Sequence, residues 1–191
     1  MNKNFFEVKN VDFSVSGKIK VRNASFSIKN EGDVVCLLGP SGIGKTTVLR
    51  SIAGLEKVQN GTIELNNKTL SSKNINIDPE NRNISLAFQE NSLFPHYTIE
   101  KNILLGAERN KNNKEKKISL KELVDLLDIS HILNKFPHQV SAGEAQRASL
   151  ARSLVSEPDL LLLDEPLSNI DQSFKEEIQV RLKQIIKNSK I

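Results

Sequence analysis

The sequence predicts an α/β fold, on three observations. An apolar run, Val34-Val35-Cys36-Leu37-Leu38, leads into a glycine-rich loop and then a helical stretch, the strand–loop–helix order of a phosphate-binding unit. A second run, Leu160-Leu161-Leu162-Leu163, ends in Asp164 and Glu165, as a buried strand carrying carboxylates at its C-terminal end would. Around them the periodicity changes from alternation near the N-terminus to helical spacing after residue 98. The chain of 191 residues is expected to be one domain. Residues 1–90 and 140–191 form its nucleotide-binding core, with an antiparallel β subdomain at the N-terminus and a helical subdomain, 91–139, inserted.

Residues Phe5 to Val15 and Ala24 to Ile28 alternate loosely, as antiparallel strands joined near Ser16-Gly17. Val34 to Leu38 is apolar throughout, which predicts a strand covered on both faces, with Cys36 a small buried hydrophobe inside it. Gly39-Pro40-Ser41-Gly42-Ile43-Gly44-Lys45-Thr46 then matches G-x-x-x-x-G-K-[ST], followed by Thr47 at the head of a helix. A loop wrapping a triphosphate must point successive N–H groups inward, and glycine permits both the dihedrals and the close approach. The helix adds its free N–H groups and the positive end of its dipole. Lys45 is placed to reach the β- and γ-phosphates and the Thr46 hydroxyl to ligate Mg²⁺, which predicts a P-loop NTPase core.

Gly61 to Leu65 and Lys68 to Leu70 read as a hairpin turned by Asn66-Asn67. Ile84 to Phe88 is a further strand, ending at Gln89, and the chain through Pro95 is a loop returning toward the nucleotide. Ile99, Ile103 and Leu104, then Leu120, Leu123, Val124 and Leu127, recur at helical spacing on either side of a polar connection, Asn110 to Lys117. Pro137 ends this lobe. Ser141-Ala142-Gly143-Glu144 opens a helix running to about Ser156, and locally Ser141 and Glu144 make a capping box, which leaves room for a second task. Asp164 is placed to hold Mg²⁺ opposite Thr46, while Glu165, one residue on, points the other way toward a water beyond the γ-phosphate. Asp171 to Lys187 forms an amphipathic helix through Ile178, Leu182, Ile185 and Ile186.

Composition narrows the partners. A formal charge of +4 with only 5% aromatic residues lacks the basic, aromatic-laced stripe of a nucleic-acid binder. One cysteine rules out a disulfide framework or a cysteine-based zinc site. Met1 to Phe6 has no signal-peptide core and no run approaches transmembrane length, so a cytosolic location is expected and a fused exporter is disfavoured.

In one order, the phosphate loop, Gln89, Val140-Ser141-Ala142-Gly143-Glu144-Ala145-Gln146-Arg147 and the Asp164-Glu165 pair resemble the nucleotide-binding subunit of ABC transporters. The octapeptide is similar to that family's L-S-G-G-Q-Q-Q-R signature, and Pro166-Leu167-Ser168-Asn169-Ile170-Asp171 to its D-loop. Leu93 to Thr98 and Phe136-Pro137-His138 are similar to segments of importer ATPases for ferric iron, polyamines, thiamine and phosphonates. The resemblance implies ATP and Mg²⁺ as cofactors, with Gln89 sensing the metal or attacking water and Glu165 as general base. It implies a head-to-tail homodimer, or a pair with another ABC subunit, in which Ser141, Ala142, Gly143 and Glu144 meet the γ-phosphate held by Lys45 of the other copy. Ser168 and Asp171 would link the two sites. Integral membrane permease subunits, a solute-binding protein acting indirectly, and a peripheral place on the cytoplasmic face of the inner membrane are the implied surroundings.

Three departures from the family pattern bear on activity. Val15 stands where an aromatic residue stacks on adenine, so either Phe13 substitutes or that stacking is lost. Ala142 replaces glycine and Glu144 replaces glutamine, adding a methyl and a negative charge beside an anion and predicting slower turnover. The family's γ-phosphate histidine would fall beyond Ile191, and His96, His131 and His138 lie in segments matched to the helical lobe. A C-terminally truncated ABC ATPase fold and a natural short form with impaired hydrolysis are both compatible with that. A nucleotide-binding regulator and a soluble ATPase of the same superfamily, working in DNA repair, iron–sulfur assembly or at the ribosome, stay open as alternatives.

Overall fold

In the computed structural model, which describes residues 4–88, 92–108 and 118–191, two units stand out: Met1–Ile84 and Ser85–Ile191. The first is built on a four-stranded antiparallel sheet of order β2-β1-β3-β4, from β1 (Phe6–Val15), β2 (Lys18–Ile28), β3 (Thr62–Leu65) and β4 (Lys68–Ser71). Both hairpin turns are two residues with positive φ, Ser16-Gly17 and Asn66-Asn67, as the twist of paired strands requires. The loose alternation of β1 has a physical cause. Phe6 and Val8 face the core on even positions, Val11 and Phe13 on odd ones, and the register with β2 shifts between them. Asn10, at φ +49, takes up the extra residue, and its N–H donates to the Ser25 hydroxyl (2.9 Å) instead of the ladder.

Helix α1 (Lys45–Ile52) follows the glycine loop and ends against Arg82. Only 1% of Arg82 is exposed. Its guanidinium donates to the carbonyls of Ser51 (3.2 Å) and Ile52 (2.7 Å) at the helix end, and to those of Ile77 (2.8 Å) and Leu70 (3.2 Å). The Ser71 hydroxyl (2.8 Å) and Asn76 Oδ1 (3.1 Å) accept from it as well. Burial pushes its pKa down to about 10, so it stays cationic at neutral pH. Gly54 makes room for it: a Cβ there would come within 2.6 Å of Arg82 Nε.

One expected element is different. Among the described residues Val34 to Leu38 joins neither sheet, and Val34, Val35 and Leu38 are 58%, 49% and 88% exposed. Cys36, expected to be buried within that strand, is exposed with it. Apolar composition marks a segment that would profit from cover, but a strand exists only where a neighbour pairs its N–H and C=O groups.

The second unit packs α2 (Ile99–Glu108), α3 (Leu120–Leu126), α4 (Ala142–Val155) and α5 (Gln172–Ser189) with a two-stranded sheet of β5 (Ile84–Ala87) and β6 (Leu160–Leu163). Helix α4 is the core helix, with Ala145, Ala148, Leu150, Ala151 and Leu154 all buried. Its small side chains admit α2 closely, and a Cβ on Gly106 would overlap the Arg152 carbonyl. The amides opening α2 find acceptors outside the helix: Ile99 N–H donates to Lys135 O (2.8 Å) and Glu100 N–H to Leu133 O (2.9 Å). The predicted apolar face of α5, Ile178, Leu182, Ile185 and Ile186, is buried in the same core.

Candidate active site

The residues singled out from sequence fall into two groups, one in each unit. In the first unit the loop Gly39 to Gly44 turns through Gly42 and Gly44, at φ +80 and +110, conformations that only glycine adopts without strain. Gly44 is the N-cap of α1, without a side-chain cap and without an acid in the first turn, so the helix keeps its N-terminal donors for an external anion. Its missing Cβ matters twice, since a methyl there would meet Val21 of β2 at 2.8 Å. The Lys45 ammonium folds back onto its own loop, donating to the carbonyls of Gly39 (2.7 Å) and Pro40 (3.1 Å). The Thr46 hydroxyl belongs to an exposed residue, whereas Thr47 is buried beneath the helix. Ser41 and Ile43 are exposed at the tip, held by a turn in which Ile43 N–H donates to Pro40 O (3.4 Å). Of the two alternatives for adenine, Phe13 is wholly buried in the sheet core, so its ring offers no stacking face.

In the second unit Asp164 and Glu165 close β6. The Asp164 N–H donates to Ala87 O (3.0 Å), extending the contact with β5, and its side chain is buried. Glu165 is exposed and holds φ +48, a left-handed backbone unusual for a residue with a Cβ. The following turn reaches the head of α4. Gln146, 3% exposed, donates from Nε2 to Glu165 O (3.0 Å) and Ser168 Oγ (3.1 Å), and accepts from Asn169 N–H (3.1 Å) at Oε1. Gly143 lies against the same turn, and a Cβ on it would stand 2.6 Å from Asn169 O. Asp171 is the N-cap of α5, without a side-chain cap bond.

The capping box expected at Ser141 is present. Glu144 N–H donates to Ser141 Oγ (3.3 Å), and Glu144 Oε2 accepts from both Ser141 N–H (2.7 Å) and Ser141 Oγ (2.8 Å). The other carboxylate oxygen lies 2.8 Å from His131 Nε2. The Ser141 backbone N–H, then its hydroxyl, then His131 hold the Glu144 pKa down to about 2. The substituted carboxylate of Glu144 is thus anchored to its own helix cap.

Sequence comparison now decides the family: residues 21–168 match the family described as ABC transporter. The chain belongs to it. The Fe(3+) ions import ATP-binding protein FbpC of Fusobacterium nucleatum is 39% identical over 180 residues, covering 94% of this chain and 47% of that protein. The sn-glycerol-3-phosphate import ATP-binding protein UgpC of Brucella abortus is 37% identical over 178 residues, covering 92% and 49%. The chain spans about half the length of the curated relatives it matches. A solved dimeric ATP-binding cassette in a post-hydrolysis state, bound to ADP and Pi, superposes with a TM-score of 0.80 at 26% identity, over 97% of this chain and 84% of that one. An ATP-binding subunit of an ABC transporter superposes at 0.81 and 24% identity, over 95% and 75%, and shows the fold.

With the ABC ATPase fold in hand, the residues that sequence reasoning passed over can be named. Gln146 was legible only as part of the signature-like octapeptide, yet its amide ties α4 to Glu165 and to Ser168 and Asn169 of the D-loop-like turn. Asn102 is wholly buried and bonds to Phe94 N–H (2.7 Å), Phe94 O (3.1 Å), Tyr97 O (3.2 Å) and Thr98 O (3.0 Å). It fixes the turn that presents Phe94, His96 and Tyr97, with Lys101 Nζ 4.1 Å from the Tyr97 ring centre. Gln89 lies outside the described residues.

Proposed function

We propose that the chain is the ATP-binding and hydrolysing subunit of an ABC importer. It works as a head-to-tail homodimer, or paired with another ABC subunit, and drives a solute or metal ion through separate integral membrane permeases. A solute-binding protein acts on those permeases and not on this chain. The observation that carries the reading is the head of α4: a Ser141-Ala142-Gly143-Glu144 stretch held to a D-loop-like turn, in a chain whose first helix, α1, follows a glycine-rich phosphate-loop sequence.

Lys45 exchanges its two loop carbonyls for the β- and γ-phosphate oxygens, while the loop from Gly39 through Thr47 surrounds the phosphates with the N–H groups of every residue but Pro40. Thr46, Asp164 and Gln89 would hold Mg²⁺, a set that fits a small cation which keeps its waters and takes phosphate oxygens. Among the described residues no cluster of three or more His, Cys, Asp or Glu offers an all-protein cage instead. When bound, Mg²⁺ neutralises charge on the phosphates. Glu165 accepts a proton from the water that attacks the γ-phosphate in line. Ser141 and Gly143 of the opposite copy supply donors that arrive on closure, and Ser168 and Asp171 relay between the two sites.

The helical subdomain 91–139 docks on the permease through the turn carrying Phe94, His96 and Tyr97, which places the chain peripherally on the cytoplasmic face of the inner membrane. Among the described residues no helix is long and apolar enough to cross a membrane. Relatives named for Fe(3+) and for sn-glycerol-3-phosphate import stand at nearly equal identity, which supports solute choice residing in other subunits.

A second reading has one specific support: the Glu144 carboxylate already takes the Ser141 hydroxyl, as a hydrolysis-impaired regulator would allow. Nucleotide-driven dimerisation with phosphate release, on the wild type and Glu165→Gln, separates the two. A motor releases phosphate as wild type and accumulates ATP-bound dimer as Glu165→Gln. ATP binding without dimer or phosphate in either protein would leave the regulator.

A further inference from the structure

We propose that Gln146 is a positioning residue for hydrolysis: from the buried face of α4 its amide fixes the Glu165 carbonyl, and so the left-handed backbone from which the Glu165 carboxylate projects. The inference rests on Glu165 acting as general base.

Three features carry it. The orientation of the amide is forced by its partners, because Glu165 O can only accept and Asn169 N–H can only donate. Nε2 therefore faces Glu165 and Oε1 faces Asn169, and its second N–H meets Ser168 Oγ. The group is nearly sealed from water, at 3% exposed, so a lost bond is not replaced by solvent without opening the packing. Finally, Glu165 sits at φ +48, which a residue with a Cβ leaves readily unless something holds it. A change of that residue to the right-handed or extended region swings its side chain by ångströms, and general-base catalysis depends on hydrogen-bond reach. Gly143 adds a second fastening, since α4 presses on Asn169 with no room for a methyl. Helix α4 and the loop of the base therefore move as one piece. An event at the head of α4 reaches the base of the same copy through this amide and the Gly143 contact, on a Glu165 carbonyl that also accepts from Ser168 N–H (3.2 Å).

The test compares Gln146→Met, which keeps the shape and removes all three bonds, with Gln146→Glu, which can still accept from Asn169 but cannot donate to Glu165 when ionised. Both are made in the full-length protein beside Glu165→Gln. The expected result is a kcat lowered between about ten- and a hundredfold in both variants, with KM for ATP and nucleotide affinity unchanged. Hydrogen exchange at the Asn169 amide rises in Gln146→Met and stays protected in Gln146→Glu, a readout independent of turnover, with wild-type protection at the other α4 amides separating it from misfolding. Wild-type kcat in either folded variant, or unchanged exchange at Asn169 in Gln146→Met, overturns the inference. Glu165→Gln turning over at the wild-type rate removes the general-base reading and the inference with it. An inactive Glu165→Gln beside a fully active Gln146→Met sinks the inference alone.

Discussion

Helices α1 and α4, both assigned to phosphate in the proposed function, treat their free N–H groups in opposite ways. At α1 the N-cap is Gly44, no side chain caps the helix, no acid lies in the first turn, and the Lys45 ammonium folds over the loop. At α4 the N-cap is Ser141, and Glu144 returns its carboxylate to both the N–H and the hydroxyl of that residue. The first helix keeps an open anion site; the second is self-satisfied and an incoming phosphate has to compete for the hydroxyl. A helix N-terminus is thus a resource that a single side chain can leave open or occupy.

The largest expected effect breaks the open end. Lys45→Ala removes the ammonium that folds over the loop at the head of α1 and should lower ATP turnover about a hundredfold or more, measured as phosphate release. The next tests whether α1 depends on its other end, where Arg82 takes up the last carbonyls. Arg82→Met leaves those buried acceptors bare and should destabilise the protein by about 3 kcal/mol or more in denaturant titration. A loss under about 1 kcal/mol would mean that water replaces the guanidinium.

The smallest effect sharpens the self-satisfied end. Ser141→Ala should cost about 1 kcal/mol, read as a modest fall in melting temperature. The contribution of Glu144 has a sign fixed by its depressed pKa of about 2, against an ordinary 4.5. The stability it adds is fully present above about pH 4.5 and is lost as pH falls toward 2. The melting difference between wild type and Glu144→Ala should therefore close over that interval; a difference constant with pH would assign it to helix propensity instead.

Local chemistry is what the sequence made legible. The turns at Ser16-Gly17 and Asn66-Asn67, the capping box and the apolar face of α5 each rest on neighbours within one turn or one period, and each is where it was expected. The phosphate-loop glycines were legible for the same reason. Val34 to Leu38 was not, because a strand depends on partners that the run itself does not contain. Arg82, Asn102 and Gln146 escaped for a related reason. Each reads locally as an ordinary polar residue, and its importance lies in backbone groups brought near by the fold, from four to 31 positions away. Side-chain bonds to distant main chain leave no period behind.

The folded-back Lys45 has a consequence for how binding begins. Its ammonium is already stripped of part of its water by the Gly39 and Pro40 carbonyls, and the loop around it already has its shape. On the proposed function, an arriving triphosphate need neither organise the loop nor draw a side chain out of bulk solvent; it would displace two neutral oxygens with anionic ones. The step is a substitution at a preformed cradle, so its entropy cost falls on the ligand and not on the protein.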